Sequence, residues 1–167
     1  GAGTSSGTSV AVDTLGDAKV TVASGATLNI SGYTTETLGG MSNSGTVNVT
    51  TASGAVLDST NLADATTITI GAGTATIDAA STDEAALAAK TTVNNSATLT
   101  INNYVNTDLS GLSNQGSGSI VVNTTTSAVL NETYLADATS VVLGAAATGA
   151  ASAIDGIGTN GGKINLN

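Results

Sequence analysis

The chain says nearly the same thing twice. "KVTVASGATLNISGY" from Lys19 returns as "KTTVNNSATLTINNY" from Lys90, and "KINLN" from Lys163 opens the phrase a third time, at offsets of 71 and 73 residues. "LGGMSNSG" at 38 matches "LSGLSNQG" at 109, "TVNVTTASGAVLD" at 46 matches "SIVVNTTTSAVLN" at 119, and "NLADATTITI" at 61 matches "YLADATSVVL" at 134. Self-similarity at a fixed long period marks a repeat architecture, in which each unit buries its apolar side against the next copy. The chain divides into the end of a preceding repeat (1–18), a first repeat (19–89), a second (90–162) and the start of a further one (163–167). "VDTLGDAK", "IDAASTDEAALAAK" and "IDGIGTNGGK" join Asp13, Asp78 and Asp155 to the next lysine with a variable insertion.

Inside each unit aliphatic residues alternate: Val20 and Val22, Leu28 and Ile30, Val47 and Val49, Ile68 and Ile70, with Thr or Asn between them. Period two is the strand signature. The runs are short, bounded by Gly, Ser, Asn or Asp, and the leading ones begin near 19, 46, 67, 90, 119, 140 and 163. Spacings of 27, 21 and 23 recur as 29, 21 and 23, the behaviour of three unequal coils per unit. A coil of ~20–30 residues with two or three short strands cannot bury its apolar side alone and stacks on copies of itself. The expected fold class is all-β: a parallel β-solenoid of stacked short-stranded coils, about three per ~72-residue repeat, with aliphatic ladders inside and Thr and Asn ladders outside. A duplicated antiparallel β-sandwich of about 80 residues per copy is the alternative, since it shares the alternation and turn spacing.

The Leu-Ala-Asp-Ala-Thr phrase reads as a recurring corner. Leu62 and Leu135 are expected to turn inward, and Asp64 and Asp137 to bond the backbone of the corner. "TDEAALAAK", 82–90, has Asp83 and Glu84 early and Lys90 late, as a helix dipole prefers, and predicts a small helix. Because this insertion is private to one unit, it reads as decoration or a contact surface outside the repeat.

Composition limits the work such a chain can do. The hydrophobic fraction is 40%, but Phe and Trp are absent and only Tyr33, Tyr104 and Tyr134 are aromatic, so the core must be thin and built from small side chains. Twelve acidic against three basic residues give a net charge of −9, which argues against nucleic acid and anionic membrane surfaces. No apolar run approaches the ~20 residues of a spanning helix. Without cysteine there is no disulfide, which fits a secreted bacterial protein. "GAGTSSGTSV" lacks the features of a signal peptide, so the expectation is a mature fragment, an internal piece or a protein exported by another route.

Catalysis is not expected. With no His, Cys or Arg, the usual nucleophile–base pairs cannot be assembled, and Asp13, Asp78 and Asp155 recur one per unit instead of clustering. Calcium fits better. Hard cations want several oxygens, and Asp13 with Asp17, Asp78 with Asp83, and Asp155 with Asn160 could offer them, although turn capping accounts for the same residues. Neither the Gly-rich calcium nonapeptide nor an EF-hand loop is present. Thr-x-Thr pairs at 67/69, 74/76 and 98/100 suggest rows on a flat face like those some ice-binding proteins present, interrupted by Asn29, Asn48, Asn123 and Val121. Asn-x-Ser/Thr triplets at Asn29, Asn48, Asn94, Asn123 and Asn131 mark glycosylation motifs that arise readily by chance in so Asn-, Ser- and Thr-rich a chain.

"GDAKVTV", "ATLNISG", "LADATTITI" and "GTVNVTTASGAVLD" resemble, over most of the chain, the repetitive regions of bacterial surface-layer (S-layer) proteins and of large RTX-like adhesins exported by the type I route. The resemblance implies a secreted β-solenoid at the cell surface, frequent calcium dependence, and partners that are copies of itself, adjacent repeats or cell-surface glycan. The missing nonapeptide departs from that pattern. The expected function is a structural module that assembles, spaces or displays, with an ice- or glycan-binding module using Thr- and Asn-rich faces as the alternative.

Overall fold

A computed structural model of the chain describes residues 20–125 and 128–143, and the backbone of 153–155 and 164–165. The lowest coils hold β1 (Thr21–Val22), β2 (Thr27–Tyr33), β3 (Ser42–Asn43), β4 (Thr46–Thr51) and β5 (Ala55–Leu57). Above them come β6 (Thr67–Ile70), β7 (Gly73–Asp78), a short helix α1 (Glu84–Ala88), β8 (Thr91–Val93) and β9 (Ala97–Tyr104). The upper coils hold β10 (Ser113–Asn114), β11 (Ser119–Thr124), β12 (Val129–Asn131), β13 (Ser140–Val142), β14 (Ala153–Asp155) and β15 (Ile164–Asn165). Strands thus begin at 21, 46, 67, 91, 119, 140 and 164, within two residues of the positions the alternation marked.

These strands wind into a β-solenoid of about 6 turns. One sheet runs β2-β4-β6-β8-β10 and a second β5-β7-β9-β11-β13-β15; β1 with β3 and β12 with β14 form two-stranded sheets. Every pairing among the described residues is parallel, which is incompatible with an antiparallel sandwich. No helix among the described residues is long and apolar enough to cross a membrane.

The pairings of the first unit recur in the second: β2–β4 as β9–β11, β4–β6 as β11–β13, β5–β7 as β12–β14, and β6–β8 as β13–β15. The counterparts nevertheless change sheets, since β2 lies in the first sheet and β9 in the second. Coil length explains this. Thr27 pairs with Thr46, Asn48 with Thr67 and Ile68 with Thr91, steps of 19, 19 and 23 residues. Three such steps fall short of the 71 residues between Lys19 and Lys90 by roughly half a coil, so the recurring phrase lands on the neighbouring sheet.

The core lies between the two sheets. Ile30, Val49 and Ile68 stack in register in one, and Ile77, Ile101 and Val122 in the other, all buried. Each such aliphatic side chain contributes about 1.5–3 kcal/mol by leaving water. Bulges at the ends of β2 and β9 break the alternation: Gly32 and Asn103 adopt φ of 79° and 58°, and the extra residue turns Tyr33 and Tyr104 inward to full burial.

The helix at 84–88 corrects the expectation that this insertion is decoration. Glu84, Leu87 and Ala88 are buried, and Thr91 Oγ1 donates to Leu87 O at 2.7 Å. A Cβ on Gly111, in the coil above, would come within 2.8 Å of Ala89 Cα. The insertion is packed into the stack because a helical turn presents Leu87 to the core and the next coil carries glycine where the backbones meet.

Candidate functional site

The chemistry of the chain gathers at one corner of the solenoid. Successive coils stack there through Leu38 N–H to Asn61 O (2.7 Å), Ser59 N–H to Thr82 Oγ1 (2.7 Å), Thr107 Oγ1 to Glu84 Oε1, and Leu109 N–H to Tyr134 O (3.1 Å). The Leu-Ala-Asp-Ala-Thr phrase forms a helical turn in this column, with Leu62 N–H donating to Asp58 O and Leu135 N–H to Asn131 O. Asp58 Oδ1 accepts from Thr60 and Asn61 N–H at 2.8 and 2.9 Å, and Asn131 Oδ1 from Thr133 and Tyr134 at 2.8 and 3.3 Å. A short polar side chain taking the free N–H groups at the start of a helical turn is an N-cap. Asp58 and Asn131 were missed by sequence reasoning, although the signal was present: Asp or Asn ends the preceding strand phrase, four residues before each leucine.

Leu62 and Leu135 are buried beneath the turn. Asp64 Oδ2 accepts from Gly40 N–H at 3.0 Å in the coil below, and its carbonyl accepts from Asn43 Nδ2 at 2.9 Å. Asp137 occupies the same place in the second corner, half-buried. Lys90 reaches down from the coil above and donates to Leu62 O at 2.7 Å, closing the carbonyl end of the turn. Burial lowers its pKa, opposed by the charge of Asp64.

Of the five carboxylates expected to hold calcium, Asp13 and Asp17 lie outside the described residues, and Asp155 is described only as backbone of β14. Asp78 and Asp83 each bond their own turn. Asp78 Oδ1 accepts from Asn103 Nδ2 at 2.8 Å and Ala80 N–H at 3.1 Å, and these bonds, the first foremost, lower its pKa. Asp83 Oδ1 caps α1 through Ala86 N–H at 3.0 Å. Among the described residues no group of three or more His, Cys, Asp or Glu comes together in a way that could hold a metal.

The carboxylates whose side chains are described nevertheless lie in this corner or, for Asp78, at the strand end that leads into it. Glu36, Asp58 and Asp64 stand in the lower coils, Asp78, Asp83 and Glu84 in the middle, and Asp108, Glu132 and Asp137 above. Lys90 is the one lysine described among them. Side-chain and backbone bonds from Ser110 lower the pKa of Asp108; at Glu36 burial pushes upward but is outweighed by bonds from Thr34 and Thr35, and the net shift is down.

The outer faces of the sheets carry ladders in place of charge. Asn48 Nδ2 donates to Asn29 Oδ1 at 2.9 Å and Thr67 Oγ1 to Asn48 Oδ1 at 2.8 Å; on the second sheet Asn123 Nδ2 donates to Asn102 Oδ1 at 2.8 Å. Beside the first of these, Ser31, Thr50, Thr69, Thr92 and Ser113 stand in register, an unbroken hydroxyl row over five strands. The expected interruptions are present in other rows, where Asn29 and Asn48 stand in register with Thr67 and Val121 with Thr76 and Thr100. Comparison with protein-family models, curated proteins and solved structures finds no match for the chain.

Proposed function

We propose that the chain is a structural module of an extracellular, cell-surface protein: a stiff β-solenoid segment of an S-layer or adhesin used for self-assembly, spacing or display. The observation that carries this reading is the joint between units. β6 of the first unit pairs with β8 of the second in the same ladder, so this joint, among the described residues, has no linker at which to bend. Its work is mechanical, and no catalytic step is assigned to it. Electron microscopy of longer tandem arrays tests this: each unit should add about three and a half rungs of ~4.8 Å, or ~17 Å, to a straight rod. Beaded or freely bending chains would overturn the reading.

The hydroxyl and carboxamide ladders favour a second reading, an ice- or glycan-binding face; thermal hysteresis or retention on a glycan array would support it, and silence in both would remove it. Calcium, implied by the family resemblance, is proposed to bind in the turns that carry Asp13, Asp17, Asp78, Asp83 and Asp155. Excess calcium should then raise the melting temperature and chelator lower it, and an unchanged value would dispose of this proposal.

A further inference from the structure

We propose that copies of this chain pack side by side through the outer face of the first sheet, with the acidic corner turned away. The inference rests on the self-assembling structural reading and names the surface that reading needs. Charge selects it. A chain of net charge −9 repels its own copies, and contact is least opposed where no carboxylate must be desolvated. Apart from Asp78, at the end of β7 on the second sheet, the described carboxylates stand in the corner column, and the exposed rows of β2, β4, β6, β8 and β10 contain none of them. On the second sheet the corresponding row is flanked at its foot by Asp78.

The chemistry of the face matches itself. A hydroxyl both donates and accepts, so the row from Ser31 to Ser113 can bond the same row on a second copy, with rungs spaced by the same ~4.8 Å on both. The row also follows the sheet and not the repeat. Ser31, Thr50 and Thr69 have Asn102, Asn123 and Val142 as their phrase counterparts, and these lie on the second sheet. Hydroxyls are therefore held on one side of the rod across both units, although the repeated phrase itself changes side. The contact is small: five strands at ~4.8 Å and a width of ~20 Å offer about 400–500 Å² per partner, below the ~800 Å² of a standard interface. Two units should associate weakly, and longer arrays more tightly as the row lengthens.

Cysteine-free wild type makes the test clean. Thr50→Cys, on the first sheet, and Thr74→Cys, on the second, are both exposed strand positions and are compared with a short bifunctional thiol cross-linker at high protein concentration. The expected result is at least tenfold more cross-linked dimer for Thr50→Cys, with association measured by sedimentation strengthened by salt as repulsion between corners is screened. Thr50→Glu with Thr69→Glu should weaken association at least tenfold, and Thr74→Glu with Thr100→Glu about twofold or less, each variant first matched to wild type by circular dichroism and melting temperature. Equal or reversed cross-linking overturns the proposal. So does retention of wild type, but not the Thr50→Glu/Thr69→Glu variant, on a neutral polysaccharide with no dimer formed, which would give the face to glycan. Straight rods in micrographs with no Thr50 cross-link would sink this inference alone, whereas loss of the rods would sink the structural reading beneath it.

Discussion

Ser96 stands at φ 61° in the turn between β8 and β9, at the position where Gly25 stands at φ 76° in the preceding unit. Left-handed backbone is free to glycine and costs other L-residues about 1–2 kcal/mol. The Ser96 backbone N–H donates to Ser117 Oγ at 3.2 Å, a bond that does not involve its own side chain. Ser96→Gly should therefore stabilise the fold by about 0.5–1 kcal/mol after allowance for the looser unfolded chain. Asn103, at φ 58° opposite Gly32 of the first unit, is the control. Asparagine tolerates this region, and its Nδ2 bonds Asp78, so Asn103→Gly should give no gain. Urea denaturation of the two variants decides it, and a loss for Ser96→Gly would contradict the account.

The two buried tyrosines should answer removal of their hydroxyls with opposite signs. Tyr104 OH donates to Thr107 O at 2.9 Å, while Tyr33 OH is buried with no protein partner. Tyr104→Phe should cost about 1 kcal/mol, and Tyr33→Phe should be neutral or stabilising by about 1 kcal/mol, because it removes a polar group that folding strips of water without replacement. Chemical denaturation measures both. Equal losses would mean that an ordered water serves Tyr33.

Strand positions were legible because alternation of Val47, Val49, Ile68 and Ile70 against Thr and Asn is a local signal that stacking then satisfies. Sheet membership was not legible. Whether the second copy of a phrase lies above the first depends on the summed length of the intervening coils, including an insertion whose packing on Gly111 no local pattern announces. The ladders were hidden for the same reason: Asn29 matches Asn48, 19 residues on, and not its phrase counterpart Thr100, because a side chain bonds the neighbour one coil away. At the corner the buried leucines were legible from the phrase, whereas the capping role of Asp58 and Asn131 belongs to residues just outside it.

Glycines at 45 and 118 mark where neighbouring coils touch. A Cβ at Gly45 would meet Ala26 O and Ala23 O of the coil below, and one at Gly118 would meet Asn94 O. Backbone cannot retreat as a flexible side chain can, so Gly45→Ala should destabilise by about 1–3 kcal/mol or more by forcing the coils apart. Gly54, whose Cβ direction is open but whose φ is 84°, tests strain without contact and should lose less, about 1–2 kcal/mol. A smaller loss at Gly45 than at Gly54 would refute the close approach.

Alkaline pH should unfold the solenoid through its tyrosines. Burial, aided at Tyr33 by Glu36 and Asp58 and at Tyr104 by Glu84 and Asp108, raises both phenol pKa values above the ordinary 10.0. A raised pKa means that the folded chain holds protons the unfolded chain releases, so this stability is complete below pH 10 and falls as pH climbs beyond it. Lys90 acts with the opposite sign. Its pKa is lowered from 10.5 by burial, so over the range just below that value the unfolded chain binds the proton more tightly and rising pH favours the fold. Two buried phenols should outweigh one half-exposed amine, and the urea midpoint should drop between about pH 10 and 12. Tyr33→Phe with Tyr104→Phe should flatten that drop, and Lys90→Met should steepen it while lowering the midpoint at every pH by removing one of the two donors to Leu62 O, Ala65 N–H being the other. A midpoint that holds steady through pH 12 in the wild-type chain would show that neither phenol is held neutral by the fold.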